Sequence, residues 1–323
     1  MKQLQVRTRI RANRLLRRAW AALRLKRTTP SPVPDRKRGE VWAFFIVRNE
    51  ALRLPFVLRY HFERGVSRVI ALDNQSTDGT QDILQSDPRI HLFSTSQPFR
   101  GNKVAWLELL LRRYGRNHWN LVLDADELFV YPAMDRLKLP DLARQLEEEG
   151  AEALHCLFME MFSREPIGQV DYRAGADLRA AAPWFDAEGY VRKQYHKVFA
   201  GDGPDFIYMG GTRERVFSGE FGCSKYPFFK YSPRQFLRLG LHTIEGAKIS
   251  EAQGAVLHFK YLQDFREKAM REAVRGVYWN ASAEYKAYAE RFRQEGDFSL
   301  WHPGAKKYED WRQLVELGLM RDF

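Results

Sequence analysis

Residues 119–132 read WNLVLDADELFVYP, and the triplet Asp124-Ala125-Asp126 interrupts an otherwise apolar run. Leu121 to Leu123 lead into it, and Leu128, Phe129 and Val130 resume the apolar pattern. Paired negative charge inside a buried strand needs compensation. On an extended backbone Asp124 and Asp126 point to the same side, because side chains repeat with period two. Two carboxylates projected together from a strand end suit a hard divalent cation such as Mg2+ or Mn2+. The same spacing also fits a strand-end turn in which one Asp caps the next element.

The surrounding elements decide between these readings. Val41 to Val47 (VWAFFIV) is a buried strand that ends in Arg48-Asn49-Glu50. A helical pattern over about 50–64 follows, with Leu54, Leu58 and Phe62 spaced by four, Pro55 near its first turn and Gly65 at its end. Ser67 to Leu72 is a second strand, ending in the polar turn Asp73-Asn74-Gln75-Ser76-Thr77-Asp78. Ile90 to Phe93 forms a short third strand, Asn102 to Tyr114 a helix, and Trp119 to Leu123 the fourth strand. Short buried strands alternating with helices predict right-handed βαβ units and a mostly parallel sheet. In such sheets ligands sit at the carboxyl ends of the strands. Three polar clusters (48–50, 73–78 and 124–126) share that position, which favours a site over a cap.

Beyond residue 150 the pattern loosens. Ala153 to Phe162 reads as a strand running into Glu160, and 163–232 as loop-rich. Val256 to Leu262 (VLHFKYL) alternates, with His258 and Lys260 on one side. Helices are expected at about 262–277, 282–294 and 308–318. The expected segments are a basic tail and linker (1–39), a first half (40–150) and a second half (151–323).

Hydrophobic residues at 45 % and aromatics at 14 % indicate a folded chain. Cys156 and Cys223 stand far apart without metal-spaced partners, which argues against a disulfide framework or a zinc site and fits a reducing compartment. The net charge of +11 is uneven. Residues 1–38 hold 13 Lys/Arg against Asp35 alone, and the remainder holds 39 Lys/Arg against 40 Asp/Glu. A neutral body argues against a nucleic-acid-binding domain. Within the tail, Arg7, Arg11, Arg14 and Arg18 recur at helical spacing, as do Leu16, Trp20 and Leu23. This predicts a short basic amphipathic helix over residues 1–27. It is too poor in apolar residues for a signal peptide or a membrane span, but suited to an anionic membrane surface. A solvated basic extension is the plainer alternative.

The ordered set of a strand followed by RNE, then ALDNQSTDGT, then LVLDADE resembles glycosyltransferase family 2 on a GT-A fold. The closer likeness is to its bacterial branch carrying RNE and LDADEL motifs. It covers about residues 41–135, with a looser likeness at HKVF (196–199), GGTRER (210–215), VLHFKYL and YEDWRQLVELGLM (308–320). The resemblance implies an α/β chain: a GT-A type, Rossmann-like, mostly parallel sheet flanked by helices, with an irregular α+β C-terminal half. It implies a nucleotide-diphospho-sugar donor (a UDP-sugar foremost), Mn2+ or Mg2+, a glycan or glycolipid acceptor, and a cytoplasmic setting at the inner membrane face. The nucleoside role falls on Arg48, Asn49, Glu50, Asp73 and Asn74, and that of ribose and metal-diphosphate on Asp124 and Asp126. Where the commonest family form has two consecutive acids after its second strand, this chain has Asp73-Asn74.

Chemistry adds further candidates. Negative charge grows on the leaving phosphate, so Lys103 and Lys260 are expected near the diphosphate, and His258 near the cation. Inversion at the sugar carbon needs a general base, for which Glu160 stands first and Asp202 next. A haloacid-dehalogenase type of phosphotransferase also ends a strand in D-x-D. There a Thr or Val stands two residues after the second Asp, where this chain has Leu128.

Overall fold

The structure is a computed structural model and describes residues 2–199, 201–217, 219–276 and 279–323. Its centre is a nine-stranded sheet built from β1 (Lys26–Arg27), β2 (Val41–Val47), β3 (Val66–Asp73), β4 (Ile90–Ser94), β5 (Trp119–Leu123), β6 (Glu127–Val130), β7 (Ala153–Glu160), β8 (Ser224–Lys230) and β9 (Ile249–His258). The spatial order is β1-β4-β3-β2-β5-β8-β7-β9-β6. The expected α/β architecture is present. Strands β4, β3, β2 and β5 run parallel, so the three strand-end motifs emerge on one edge. Strand β8 is antiparallel to both β5 and β7, and β6 is antiparallel to β9. Strands from both expected halves, and β1 from the tail, share this one sheet.

Period-two alternation explains why the apolar runs are continuous. In β2 the side chains of Val41, Ala43, Phe45 and Val47 enter one core, and those of Trp42, Phe44 and Ile46 enter another. Both faces of a parallel sheet are covered, so neither face is polar. Helix α1 (Lys2–Ala22) lies against α4 (Lys103–Leu110), and the buried Trp106, Leu107 and Leu110 of α4 fill the second core. Helices α2 (Leu54–Glu63), α3 (Thr80–Ser86) and α5 (Leu139–Glu148) feed the first core through Leu54, Val57, Leu84 and Leu142. Beyond the sheet come α6 (Gly211–Phe217), α7 (Phe265–Arg275), α8 (Trp279–Glu295) and α9 (Trp311–Glu316). Helices α7 and α8 pack on each other around Phe265, Ala269, Tyr288 and Phe292.

Three departures from the sequence reading have physical causes. Helix α2 begins at Leu54, not 50, because Asn49 takes a left-handed conformation (φ 54°) and the Glu50 N–H is held by Thr80 Oγ1 at 2.9 Å. The loop-rich stretch contains β8, which Pro227 disguises. The register of β8 against β7 shifts between Lys225 and Phe228, and a proline fits a strand at such a bulge. Strand β9 starts seven residues before Val256 and ends at His258. Its first part, ISEAQGA, has no strand pattern of its own and is fixed by pairing on β7.

Strands β5 and β6 are separated in the sheet by β8, β7 and β9, yet only three residues connect them. Four strand spacings in a flat sheet are about 19 Å, whereas the four steps from Leu123 to Glu127 reach about 14 Å. The sheet must therefore curl, and β5 and β6 do touch. The DAD triplet is the strap across that curl.

Candidate functional site

Register brings the chemistry together. His258, the last residue of β9, is the Cα partner of Glu160 on β7 and of Glu127 on β6. Its Nδ1 lies 2.7 Å from Glu160 Oε2, and its Nε2 lies 3.2 Å from Asp126 Oδ2. Asp126 is held in turn by its carbonyl, which accepts the Phe259 N–H at 2.8 Å. Ligand atoms of Asp126, Glu127 and His258 lie within 4.8 Å of one another. Carboxylate oxygens suit hard divalent cations such as Mg2+ and Mn2+, and the imidazole adds a nitrogen donor. The residues present therefore fit a divalent cation.

Burial pushes His258 toward its neutral form, but Glu160 and Asp126 outweigh it and raise the imidazole to about 9. Burial likewise opposes the charge on Asp126, but His258, Lys268 and Arg53 hold its carboxyl well below the usual range. Glu160 is also lowered against burial, by His258 and Arg213.

Asp124 is the open member, with a side chain 36 % exposed. Lys103 Nζ, from the first residue of α4, donates to its Oδ1 at 2.6 Å, and Lys225 Nζ on β8 stands 3.7 Å from its Oδ2. Burial opposes its ionisation, but the two ammonium groups hold the carboxyl at about 2. The structure thus places Lys103 against Asp124, while Asp124 lies outside the donor cluster that includes Asp126. Beside it a narrow crevice of about 10 Å³ is lined by Lys103, Asp124, Lys225, Ile46, Val122 and Leu237.

Two residues of this centre were not foreseen. Glu127 closes the LVLDADE string, and its carboxylate accepts the Asp124 N–H at 3.0 Å and pairs with Lys225. Lys225 was hidden in a stretch read as loop. Both are almost fully buried, so their pairing ties β8 to the strap. A lysine inside the apolar run SKYPFFK was the available signal.

The nucleoside candidates stand at the ends of β2 and β3, where Val47 and Asp73 are Cα partners. Asp73 is buried and accepts from the Ser76 N–H at 3.1 Å and from Gln81 Nε2 at 2.7 Å. Asn74 donates to the carbonyls of Thr95 and Gln97, both at 3.0 Å. Asn49 Oδ1 accepts the Thr77 N–H at 2.8 Å, so these three side chains shape the rim. Glu50 receives Lys268 Nζ at 2.7 Å, and burial, opposed by Lys268, raises its carboxyl. Arg48 is half-buried at the same edge.

Three expectations need correction. Glu160 does not have the setting of a general base: it is 3 % exposed, with one oxygen at His258 and the other 2.8 Å from Arg213 Nε. Asp202 lies on an exposed loop whose backbone carbonyl accepts the Gly246 N–H, and no contact joins its side chain to the cluster among the described residues. Lys260 is turned to α8, where its Nζ reaches Glu284 at 2.8 Å and Tyr288 Oη at 3.2 Å. The chain passes the strand end at His258, and the next alternate residue already belongs to the helical layer.

No family model and no curated protein matches the chain. Among solved structures, a mannosyltransferase from Pyrobaculum calidifontis in complex with GDP-Man and Mn2+ is 16 % identical, with a TM-score of 0.35, over 91 % of this chain and 81 % of its own. A 4-diphosphocytidyl-2C-methyl-D-erythritol synthase is 17 % identical with a TM-score of 0.27, over 45 % of this chain and 84 % of its own. HddC from Yersinia pseudotuberculosis is 12 % identical with a TM-score of 0.29, over 69 % and 78 %. At such scores these likenesses carry no argument about activity.

Proposed function

We propose that the chain is a metal-dependent glycosyltransferase that moves a sugar from a nucleotide-diphospho-sugar to an acceptor hydroxyl. The observation that carries this reading is the Asp126–Glu127–His258 cluster, next to the Lys103–Asp124 pair at the carboxyl ends of the strands. The acceptor oxygen forms a bond to the sugar C1 as the bond from C1 to the diphosphate oxygen breaks. The leaving nucleoside diphosphate takes that electron pair, and the acceptor proton passes to a base. A divalent cation, when bound, supplies Lewis-acid stabilisation of charge on the diphosphate.

The chain's own residues prepare that step. Asp126 and His258 offer one oxygen and one nitrogen toward the cation, and Glu127 a further oxygen. Glu160 holds His258 Nδ1–H, which leaves Nε2 directed at Asp126. Lys103 and Lys225 supply positive charge beside Asp124, suited to a diphosphate approaching the ends of these strands. Arg48, at the end of β2, is assigned to the nucleoside. The donor is a UDP-sugar foremost, transfer is inverting, and the acceptor is a bacterial surface glycan or glycolipid made at the inner membrane face.

A thermal-shift panel of UDP-, GDP- and dTDP-sugars with Mn2+ tests the donor class. One nucleotide series should raise the melting temperature only when Mn2+ is present. Equal response to every series, or to none, would count against the reading.

A further inference from the structure

Of the eight large hydrophobic side chains exposed among the described residues, four fall within residues 15–23: Leu15, Leu16, Trp20 and Leu23. Leu16 and Trp20 share one face of α1, and Leu23, in the turn just past its end, continues the i, i+4, i+7 spacing. They are 69 %, 42 % and 81 % exposed, so each leaves a large part of its side chain open to solvent.

The other face of α1 is spent on the body. Arg14 and Arg18 both pair with Glu108 of α4, the latter at 3.2 Å. Arg14 also donates to the Leu237 carbonyl at 2.7 Å and lies over the Phe236 ring. Arg7 donates to the Val198 carbonyl at 2.7 Å, Ala21 is buried, and Gln97 donates to the Trp20 carbonyl at 3.0 Å. Arg7, Arg14 and Arg18 therefore serve to clasp the helix. Arg9, Arg24, Lys26 and Arg27 remain exposed, and the first acidic residue of the chain is Asp35.

An exposed Leu/Trp row with exposed cations before and after it along the chain matches an anionic bilayer surface. The apolar side chains enter the acyl boundary while the cations meet lipid phosphates. A nucleic acid would satisfy the cations and leave the row in water. No described helix is long and apolar enough to cross a membrane, so the contact is one of α1 lying along the surface.

We propose that α1 is a bilayer-docking helix, clasped by the body with its apolar face outward, that presents the site to acceptors anchored in an anionic membrane. The acceptor part rests on the glycosyl-transfer reading. Geometry links the two: α1 packs on α4, whose first residue Lys103 holds Asp124, and Arg14 binds Leu237, which lines the same crevice.

The test is flotation of the full chain with phosphatidylcholine vesicles, with and without phosphatidylglycerol. The wild-type chain should float with the anionic vesicles. A Leu16→Ser/Trp20→Ser/Leu23→Ser variant should bind them about tenfold more weakly or worse, at an unchanged melting temperature. An Arg9→Gln/Arg24→Gln variant should lose only the phosphatidylglycerol-dependent part. Equal flotation of wild type and triple variant would overturn the proposal. So would a wild-type dimer that the triple variant makes monomeric without vesicle binding, or an RNA affinity that explains the cations instead. Nucleotide-sugar turnover in vesicle-free solution separates the two readings: docking without turnover sinks only the transferase, and turnover without docking sinks only this proposal.

Discussion

Glu160 Oε2 and His258 Nδ1 stand 2.7 Å apart because their residues are Cα partners at the ends of two parallel strands. A carboxylate behind an imidazole fixes which ring nitrogen faces outward, and here that nitrogen faces Asp126. Glu160→Gln should therefore weaken Mn2+ binding about 10- to 100-fold, as loss of such a partner does elsewhere. Electron paramagnetic resonance of free Mn2+ reads this without an activity assay. Unchanged affinity would return Glu160 to the list of candidate bases.

The same pair sets a pH dependence. In the folded chain His258 is raised from 6.5 to about 9 by Glu160 and Asp126 against burial. Its protonated form therefore adds stability that is full below the unfolded value and is lost as pH rises through about 9. Cation binding needs the neutral ring, so Mn2+ affinity should climb by up to about tenfold per pH unit toward 9 and then level off. Calorimetry in buffers of different ionisation enthalpy would register the released proton. A flat profile would remove His258 from the ligand set.

Lys225 and Glu127 form a buried pair, 3 % and 1 % exposed at their side chains. Breaking such a pair leaves one charge without a partner, at a cost of about 3–5 kcal/mol. Lys225→Met should lower stability to urea by that order, and Lys225→Met/Glu127→Gln should recover much of it. Equal losses in both variants would mean that packing, not charge, ties β8 to the strap.

Gly254 has no room for a side chain. A Cβ there would lie 2.8 Å from the Val130 carbonyl oxygen and 3.0 Å from Cys156 Sγ. Gly254→Ala should cost about 1–3 kcal/mol as overpacking, and should disturb the β9 register that delivers His258. A variant of wild-type stability would show that β6 and β7 yield easily at this point.

The parallel part of the fold was legible in the sequence because each of its strands carries its own apolar run and its own polar end. VWAFFIV, the strand ending in Asp73 and the strand leading into Asp124 carry their pattern without a partner. Strand β8 was not legible, since Pro227 marks it as a breaker and only pairing with β5 and β7 makes it a strand. The first part of β9 was hidden for the same reason. The site divided along the same line. Asp126 and His258 were visible as chemistry interrupting a local pattern. The Lys225–Glu127 pair and the Glu160–Arg213 contact arise from non-local register and the curl of the sheet, which no local window contains. Lys260 misled because period two holds only while the strand lasts, and the strand ends at His258.

The central claim is that Asp126 holds the cation on which donor cleavage depends. Its most direct test is release of nucleoside diphosphate from the matched nucleotide sugar with Mn2+, comparing wild type, wild type in EDTA and Asp126→Ala at equal melting temperatures. The account predicts turnover in wild type alone, with Asp126→Ala lower by at least about a hundredfold. Full turnover by Asp126→Ala, or by wild type in EDTA, would contradict it.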